Sequence, residues 1–314
     1  MKKTLIISAL LAFVPLAIFA QEDAASATVA LDFVRFGADP RADAMGGASL
    51  ASVSSPAWSF RSNPAAIPYS AGKWDLGLSY LLWQPSSTHY LNLGGAFKAS
   101  DRVGLCFGVA TGIDGPVGGV SDSGASSGEF SPLDFQGSLG VGVRLCTWVS
   151  LGANARFAFQ NLDGYTLSSF MCDAFVLGCI DDFSAALGVQ NLGTKARYGR
   201  KSGIDSIYPI PTAAALGLCY APPFALSHGL DLRADLRCGF CGTGFSASFG
   251  AGYTYNDMLS LRAGFNYGGP AMASYGTIGL GFAFGGFRLD AAYFLASRTS
   301  PAANTFTLGL GVGF

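Results

Sequence analysis

The chain has 314 residues, 50% of them hydrophobic and 12% charged, with a net charge of −1. Soluble domains carry about 25% charged residues, so this composition excludes a surface fully exposed to water. The near-neutral balance also excludes a nucleic-acid footprint.

At the N-terminus, Lys2 and Lys3 form a basic region and Thr4 to Phe19 an apolar one. Ala20 offers a small residue for cleavage before Gln21. Residues 1–20 therefore read as a secretory signal peptide, although Ile18 fits the third position before the cut less well than Ala would. No later run reaches the ~20 apolar residues of a transmembrane helix. An exported, charge-poor, glycine-rich chain without such a helix points to the outer membrane and to a β-barrel.

Residues 21–72 lack sustained alternation. Gly, Pro, Ser and Ala dominate "GADPRADAMGGASLASVSSPAWSFRSNPAAIPYS", and a short helix is expected near Ala42 to Val53. Met45, Gly46 and Gly47, then Asn63, Pro64 and Ala65, mark a leader that starts at the periplasmic mouth and folds into the lumen as a plug. Gly46 and Gly47 let backbone approach backbone, and Pro64 fixes a turn.

Residues 73–314 form the barrel. "KWDLGLSYLLW" sets Trp74, Leu76, Leu78, Tyr80 and Leu82 against Asp75, Gly77 and Ser79. "DRVGLCFGVATG", "DFQGSLGVGVRL" and "VSLGANARFAFQ" repeat the pattern. Period-two alternation over about ten residues is the mark of a tilted membrane strand. About fourteen such segments follow, centred near 78, 93, 107, 140, 155, 173, 187, 216, 235, 250, 263, 280, 291 and 310. Short connections ("ASD", "CTW", "IDD", "YND", "FGG") alternate with longer ones at 113–131, 161–168, 191–210, 268–274 and 296–303. Short turns belong on the periplasmic side, which puts both ends of an antiparallel barrel there. "APPFALSHG" at 221–229 is long for a turn. The chain ends on "TFTLGLGVGF", an apolar strand that would be a bare edge unless it pairs with the first strand and faces lipid. A soluble β-sandwich would need charged outer faces, which are missing.

The late even strands turn small residues inward, and the odd strands between them turn charges inward. Strand nine carries Asp231, Arg233, Asp235 and Arg237, strand eleven Arg262, and strand thirteen Arg288 and Asp290. Long arginines are expected to cross neighbouring glycines and reach carboxylates on the next odd strand. The result is either a polar filling of the lumen or a solute path lined by arginines.

Nothing in the sequence carries catalysis. His89, with Ser86, Ser87 and Asp75 considered beside it, is too little for a hydrolase site, and no metal-ligand cluster or cofactor motif is present. Cys238 and Cys241 in "CGFC" lack a helix N-terminus that would activate a thiol. Cys172 and Cys179 could bridge near a turn.

The stretch "RADAMGGASLASVSSPAWSFRSNPAAI" resembles the N-terminal signature of the PorV/PorQ family, related to the FadL-type channels. Its "A-x-x-M-G-G-A" falls on Ala42, Met45, Gly46, Gly47 and Ala48, and its "N-P-A" on Asn63, Pro64 and Ala65. Asn191, Leu192, Gly193, Pro209, Pro211, Gly217 and Tyr220 carry a second similar stretch. Arg262, Gly264, Gly279, Gly281, Asp290, Ala292 and Tyr293 carry a third. The resemblance implies a fourteen-stranded FadL-like barrel with a lumenal N-terminal segment. It further implies a non-enzymatic part in type IX secretion, the export system of Bacteroidetes, as a shuttle or attachment-complex component. Its partners would be cargo C-terminal domains or other secretion components. By resemblance to other outer-membrane proteins, Phe314 is the signal read by the barrel-assembly machinery. The competing expectation is a FadL-like passive channel for hydrophobic small molecules.

Overall fold

Alternating sequence becomes continuous pairing around a closed wall. The computed structural model describes residues 29–83, 87–120, 126–199, 206–225, 227–240, 244–268 and 273–314. The signal peptide expected at 1–20 lies outside them. The described residues form fourteen long antiparallel strands in one barrel. These are β1 (Trp74–Trp83), β2 (Thr88–Lys98), β3 (Val103–Ile113), β4 (Leu133–Cys146), β5 (Val149–Leu162), β6 (Tyr165–Ile180) and β7 (Phe183–Gly193). The second half is β8 (Ala213–Tyr220), β9 (His228–Gly239), β10 (Phe245–Tyr255), β11 (Leu259–Tyr267), β12 (Tyr275–Phe284), β13 (Phe287–Leu295) and β14 (Phe306–Gly313).

β14 closes on β1, with Gly313 opposite Asp75 and Phe306 opposite Leu82. The last residue takes part. Phe314 N donates to the Trp74 carbonyl (3.0 Å), and the Phe314 carbonyl accepts from Lys73 N and Trp74 N, each at 2.8 Å. The terminal strand therefore has no free edge.

The faces reverse those of a soluble protein. Leu139 and Phe314 are each 68% exposed, and Leu91, Leu93, Phe265 and Leu310 also face out. Their neighbours Asn92, Ser138 and Asn266 are buried inside. Apolar side chains toward lipid and polar ones toward the lumen are the pattern of an outer-membrane barrel. Aromatic pairs mark both rims. Trp74 stacks on Phe97 at the short-turn end (4.3 Å between centroids), and Tyr80 lies beside Phe306 at the other (6.0 Å). Among the described residues, no helix is long and apolar enough to cross a membrane.

The connections differ from expectation in three places. The long loop expected at 161–168 is a two-residue turn. Asp163 and Gly164 both have positive φ, 49° and 80°, as a type I′ hairpin demands. β5 and β6 consequently run to 14 and 16 residues. The 191–210 connection returns to the wall, where Ala196–Tyr198 pairs with β6 and with Ile207–Tyr208. The long turn at 221–229 contains Pro223–Ala225, paired with the start of β9. Outside the wall, Val117–Val120 and Ser126–Phe130 form a separate hairpin.

Candidate functional site: the lumen and its N-terminal segment

Residues 29–72 occupy the interior, but their path is the reverse of the expected one. They begin beneath the outer loops, not at the periplasmic mouth. Ala30 N donates to the Pro209 carbonyl (2.9 Å). Leu31, Phe33 and Val34 are buried with Leu81, Tyr90, Leu167 and Met171, the loop-side residues of β1, β2 and β6. Burying these apolar groups at the loop end anchors the start of the segment. The chain then descends to Ser70–Gly72 and enters β1.

The expected helix near 42–53 is instead one turn at Pro40–Asp43, capped by Asp39, whose carboxylate accepts from Arg41 N (3.0 Å). It stops where Gly46 and Gly47 adopt φ of 70° and 88°. A Cβ on Gly46 would lie 2.5 Å from the Phe265 carbonyl oxygen of β11. Only glycine permits both this conformation and this approach. Met45, fully buried, lies on Gly250 of β10 and Gly264 of β11. Asn63 caps the 3-10 turn Pro64–Tyr69 by accepting from Ala65 N (3.0 Å), and its amide donates to the Leu50 carbonyl (2.9 Å). Pro64 and Ala65 rest on Gly142 and Gly152 of β4 and β5. The two motif clusters thus touch different walls and are tied together through Leu50.

Polar wall residues clasp the segment's backbone. Asp235 accepts from Ser49 N (2.8 Å) and Leu50 N (3.1 Å). Thr277 accepts from Gly46 N (2.9 Å) and donates to the Ala44 carbonyl (3.0 Å). Asp75 accepts from Ala57 N (3.0 Å). Ser150 and Ser184 each donate to a segment carbonyl at 2.7 Å. Backbone groups that lack a ladder partner are satisfied in this way.

The lumenal charges follow two geometries. Arg262 crosses β12 to Asp290 (2.7 Å) over Gly281, where a Cβ would fall 2.6 Å from the guanidinium. Arg288 pairs with Asp75 beyond β14, passing Gly311 and Gly313. On β9, however, each arginine pairs within its own strand, Arg233 with Asp231 and Arg237 with Asp235. Residues two apart share a face, and Met45 already fills the groove over Gly250 through which an arginine could reach β11. A pair missed in the sequence joins them. Arg156 of β5 and Asp173 of β6 (2.5 Å) are both buried, and Asp173 also accepts from Asn191 N (2.8 Å) at a bulge of β7. Arg156 and Asp173 sit diagonally on directly paired strands, and the bulge brings Asn191 onto both.

The segment borders two cavities among the described residues. One, of about 420 Å³, lies toward the loops and is bordered by Phe36, Trp58, Arg61, Trp83, Arg156 and Phe294. The other, of about 520 Å³, lies at the short-turn rim beside Val53, Ser54, Asp75, Arg288 and Phe314. Burial pushes the Asp43 carboxyl, which borders the first, up to about 8, and Asp39 nearby adds to the rise. Burial, with Arg156 alongside, lowers Arg61 to about 9.

Comparison with family models and with curated proteins gives no match. Solved structures do. The Ralstonia pickettii toluene transporter TbuX superposes with a TM-score of 0.58 at 13% identity, covering 88% of this chain and 98% of that one. The Pseudomonas putida toluene transporter TodX gives 0.57 at 14%, covering 88% and 99%. A Pseudomonas aeruginosa FadL homologue gives 0.52 at 12%, covering 88% and 98%. The fold is that of outer-membrane hydrocarbon channels. At these identities the likeness is one of architecture.

The remaining sequence candidates do not converge. His89 faces outward and shares a 2.7 Å hydrogen bond with Tyr80 Oη, whereas Asp75 is inside at the opposite end of β1, paired with Arg288. Ser86 and Cys241 lie outside the described residues. Cys172 and Cys179 are free, seven residues apart on β6 and on opposite faces, so the bridge considered for them is excluded. Phe314 stands at the short-turn rim on the lipid face.

Proposed function

We propose that the protein is a passive outer-membrane channel for small hydrophobic compounds, closed at rest by residues 29–72. The observation that carries this reading is the loop-side cavity, walled by Phe36, Trp58, Trp83 and Phe294 and separated from the short-turn rim by the segment. Cavities of ~300–1,000 Å³ that combine aromatic and apolar walls with a few polar groups suit small ligands, and two of the structural neighbours are named as toluene transporters. Uptake of radiolabelled toluene into proteoliposomes tests it. Uptake above that of empty vesicles, saturable and reduced when the cavity is narrowed by Ala42→Trp, supports the channel. Uptake equal to that of empty vesicles contradicts it.

A second reading, a PorV/PorQ-type component of type IX secretion, is favoured by the ordered motifs at Ala42–Ala48 and Asn63–Ala65 and by a lumen tightly filled by its own chain. A pull-down from detergent-solubilised outer membrane separates the two. Recovery of secretion components or of cargo C-terminal domains supports this reading, and their absence leaves the channel.

A further inference from the structure

Charge on the wall strands points inward, with one exception. Among the described residues, their Asp, Lys and Arg side chains take lumenal positions, from Asp75 on β1 to Asp290 on β13. Even those near the short turns face in. Lys98 donates to the Ser70 carbonyl (3.0 Å), and Arg144 lies over the Tyr69 ring of the segment (4.6 Å). The exception is Arg197, in the short strand Ala196–Tyr198 beyond the loop end of β7. Ala196 is fully buried and Tyr198 packs against the loop-side core, so Arg197 between them faces out. Lys195, two residues earlier, is exposed as well. Among the described residues, neither has a carboxylate within ion-pair distance.

The surface beneath this pair is built of two rings and a shallow apolar trough. Arg197 is flanked by Ser168 of β6 on one side and Ile207 on the other. Next down β6, Phe170 is 66% exposed and lies against Phe157 of β5, with centroids 4.8 Å apart. Below the rings come Ala155 opposite Cys172, then Ala153 opposite Ala174, all four exposed. The loop end of such a barrel stands in the outer leaflet. Charge on the lipid face is tolerated near the interface and not at the midplane, and both basic residues stand at that edge. A guanidinium fork takes phosphate oxygens in pairs, and an ammonium adds a second positive charge.

We propose that this outward face binds a phosphate-bearing glycolipid of the outer leaflet. Lys195 and Arg197 hold its phosphate, and its acyl chains lie over Phe157, Phe170 and the small residues beneath them. The site is on the outside of the wall and does not depend on what the lumen carries.

The test uses the full chain purified in detergent, with native mass spectrometry as the readout. Three probes are titrated: lipid A, its dephosphorylated form and phosphatidylglycerol. The expected result is that lipid A binds at least ~10-fold more tightly than either of the others. The double variant Lys195→Gln/Arg197→Gln should weaken lipid A by roughly 30-fold, the effect of two basic side chains at a charged surface. Lys73→Gln, at the opposite rim, should leave it unchanged. Equal binding of lipid A and its dephosphorylated form to the wild-type protein overturns the proposal without reliance on any variant. Phosphatidylglycerol bound as tightly as lipid A overturns the glycolipid assignment. An unchanged double variant, or an equal loss in Lys73→Gln, overturns the placement at Lys195 and Arg197.

Discussion

On the β1–β5 side of the lumen, Phe60 lies on Gly94 and Gly108, Trp58 on Gly77, and Ile67 on Gly104. On the β11–β1 side, Gly281 of β12 lies under Arg262 and Gly311 and Gly313 of β14 under Arg288, while Gly279 and Gly309 of the same strands meet Ala44 and Pro40 of the segment. Both sides remove a Cβ to make room, but for opposite chemistry. The first makes sockets for rings and holds the N-terminal segment by apolar contact. The second adds grooves for guanidiniums that tie wall to wall, beside small sockets for Ala44 and Pro40. Lumenal glycine alone therefore does not say what fills the space. The residues on the neighbouring odd strands, and the segment itself, decide it.

The largest expected effect comes from breaking one partner of a groove pair. Arg262→Ala leaves Asp290 buried without its cation, and this costs about 3–5 kcal/mol. The double variant Arg262→Met/Asp290→Leu recovers most of the loss, since a buried pair exchanged for apolar groups is close to neutral. Denaturation of folded barrels in detergent and urea reads both. If the double variant is as unstable as the single one, the groove side depends on more than charge balance.

On the socket side, Phe60→Ala empties a fully buried position and should cost about 3–4 kcal/mol. The loss should fall on the segment before the wall. Hydrogen exchange is expected to rise first at residues 56–69, while β2 and β3 keep their protection. Equal loss in the strands would mean that segment and wall unfold as one unit.

The wall and the segment differ in how far the sequence revealed them. Strand positions were legible because lipid on one side and a polar lumen on the other enforce strict alternation, as in Leu91–Asn92–Leu93. Closure was legible in the bare terminal strand. The 161–168 region departs from the long connection expected there, because Asp163–Gly164 is a two-residue turn signal. The segment was less legible still. Its shape comes from long-range contacts such as Met45 on Gly250 and Ser49 on Asp235, which leave no period in the sequence. Its direction through the lumen is set by Leu31, Phe33 and Val34, which carry no motif. The strand-nine pairs departed from the cross-strand pattern for the same reason, since Met45 holds the groove.

A smaller effect is expected at the rim. Phe314→Asp should lower the yield of folded barrel more than Phe314→Tyr, because a charge on the lipid face near the interface costs up to ~1 kcal/mol and the residue closes the β14–β1 seam. Heat-modifiable mobility on gels measures the folded fraction, and equal fractions for the two variants would remove Phe314 from the account.

The smallest effect is pH dependence at Asp43. Its carboxyl is raised to about 8 by burial and by Asp39, with the Arg61 cation and the Thr307 hydroxyl opposing. In the unfolded chain it titrates near 3.8. The docked segment therefore binds the extra proton. Its stability from this group is full below about pH 4 and is lost as pH rises through about 8. Limited proteolysis of residues 37–68 should quicken a few-fold between pH 6 and 9 in the wild type and stay flat in Asp43→Asn. A slope shared by both proteins would assign the effect to another group.

The central claim is that residues 29–72 close the lumen. Planar-bilayer conductance of the wild-type barrel against a barrel lacking residues 37–68 tests it most directly. A quiet wild type and steady ohmic conductance in the deletion are predicted. Two well-folded proteins that are equally silent would contradict it.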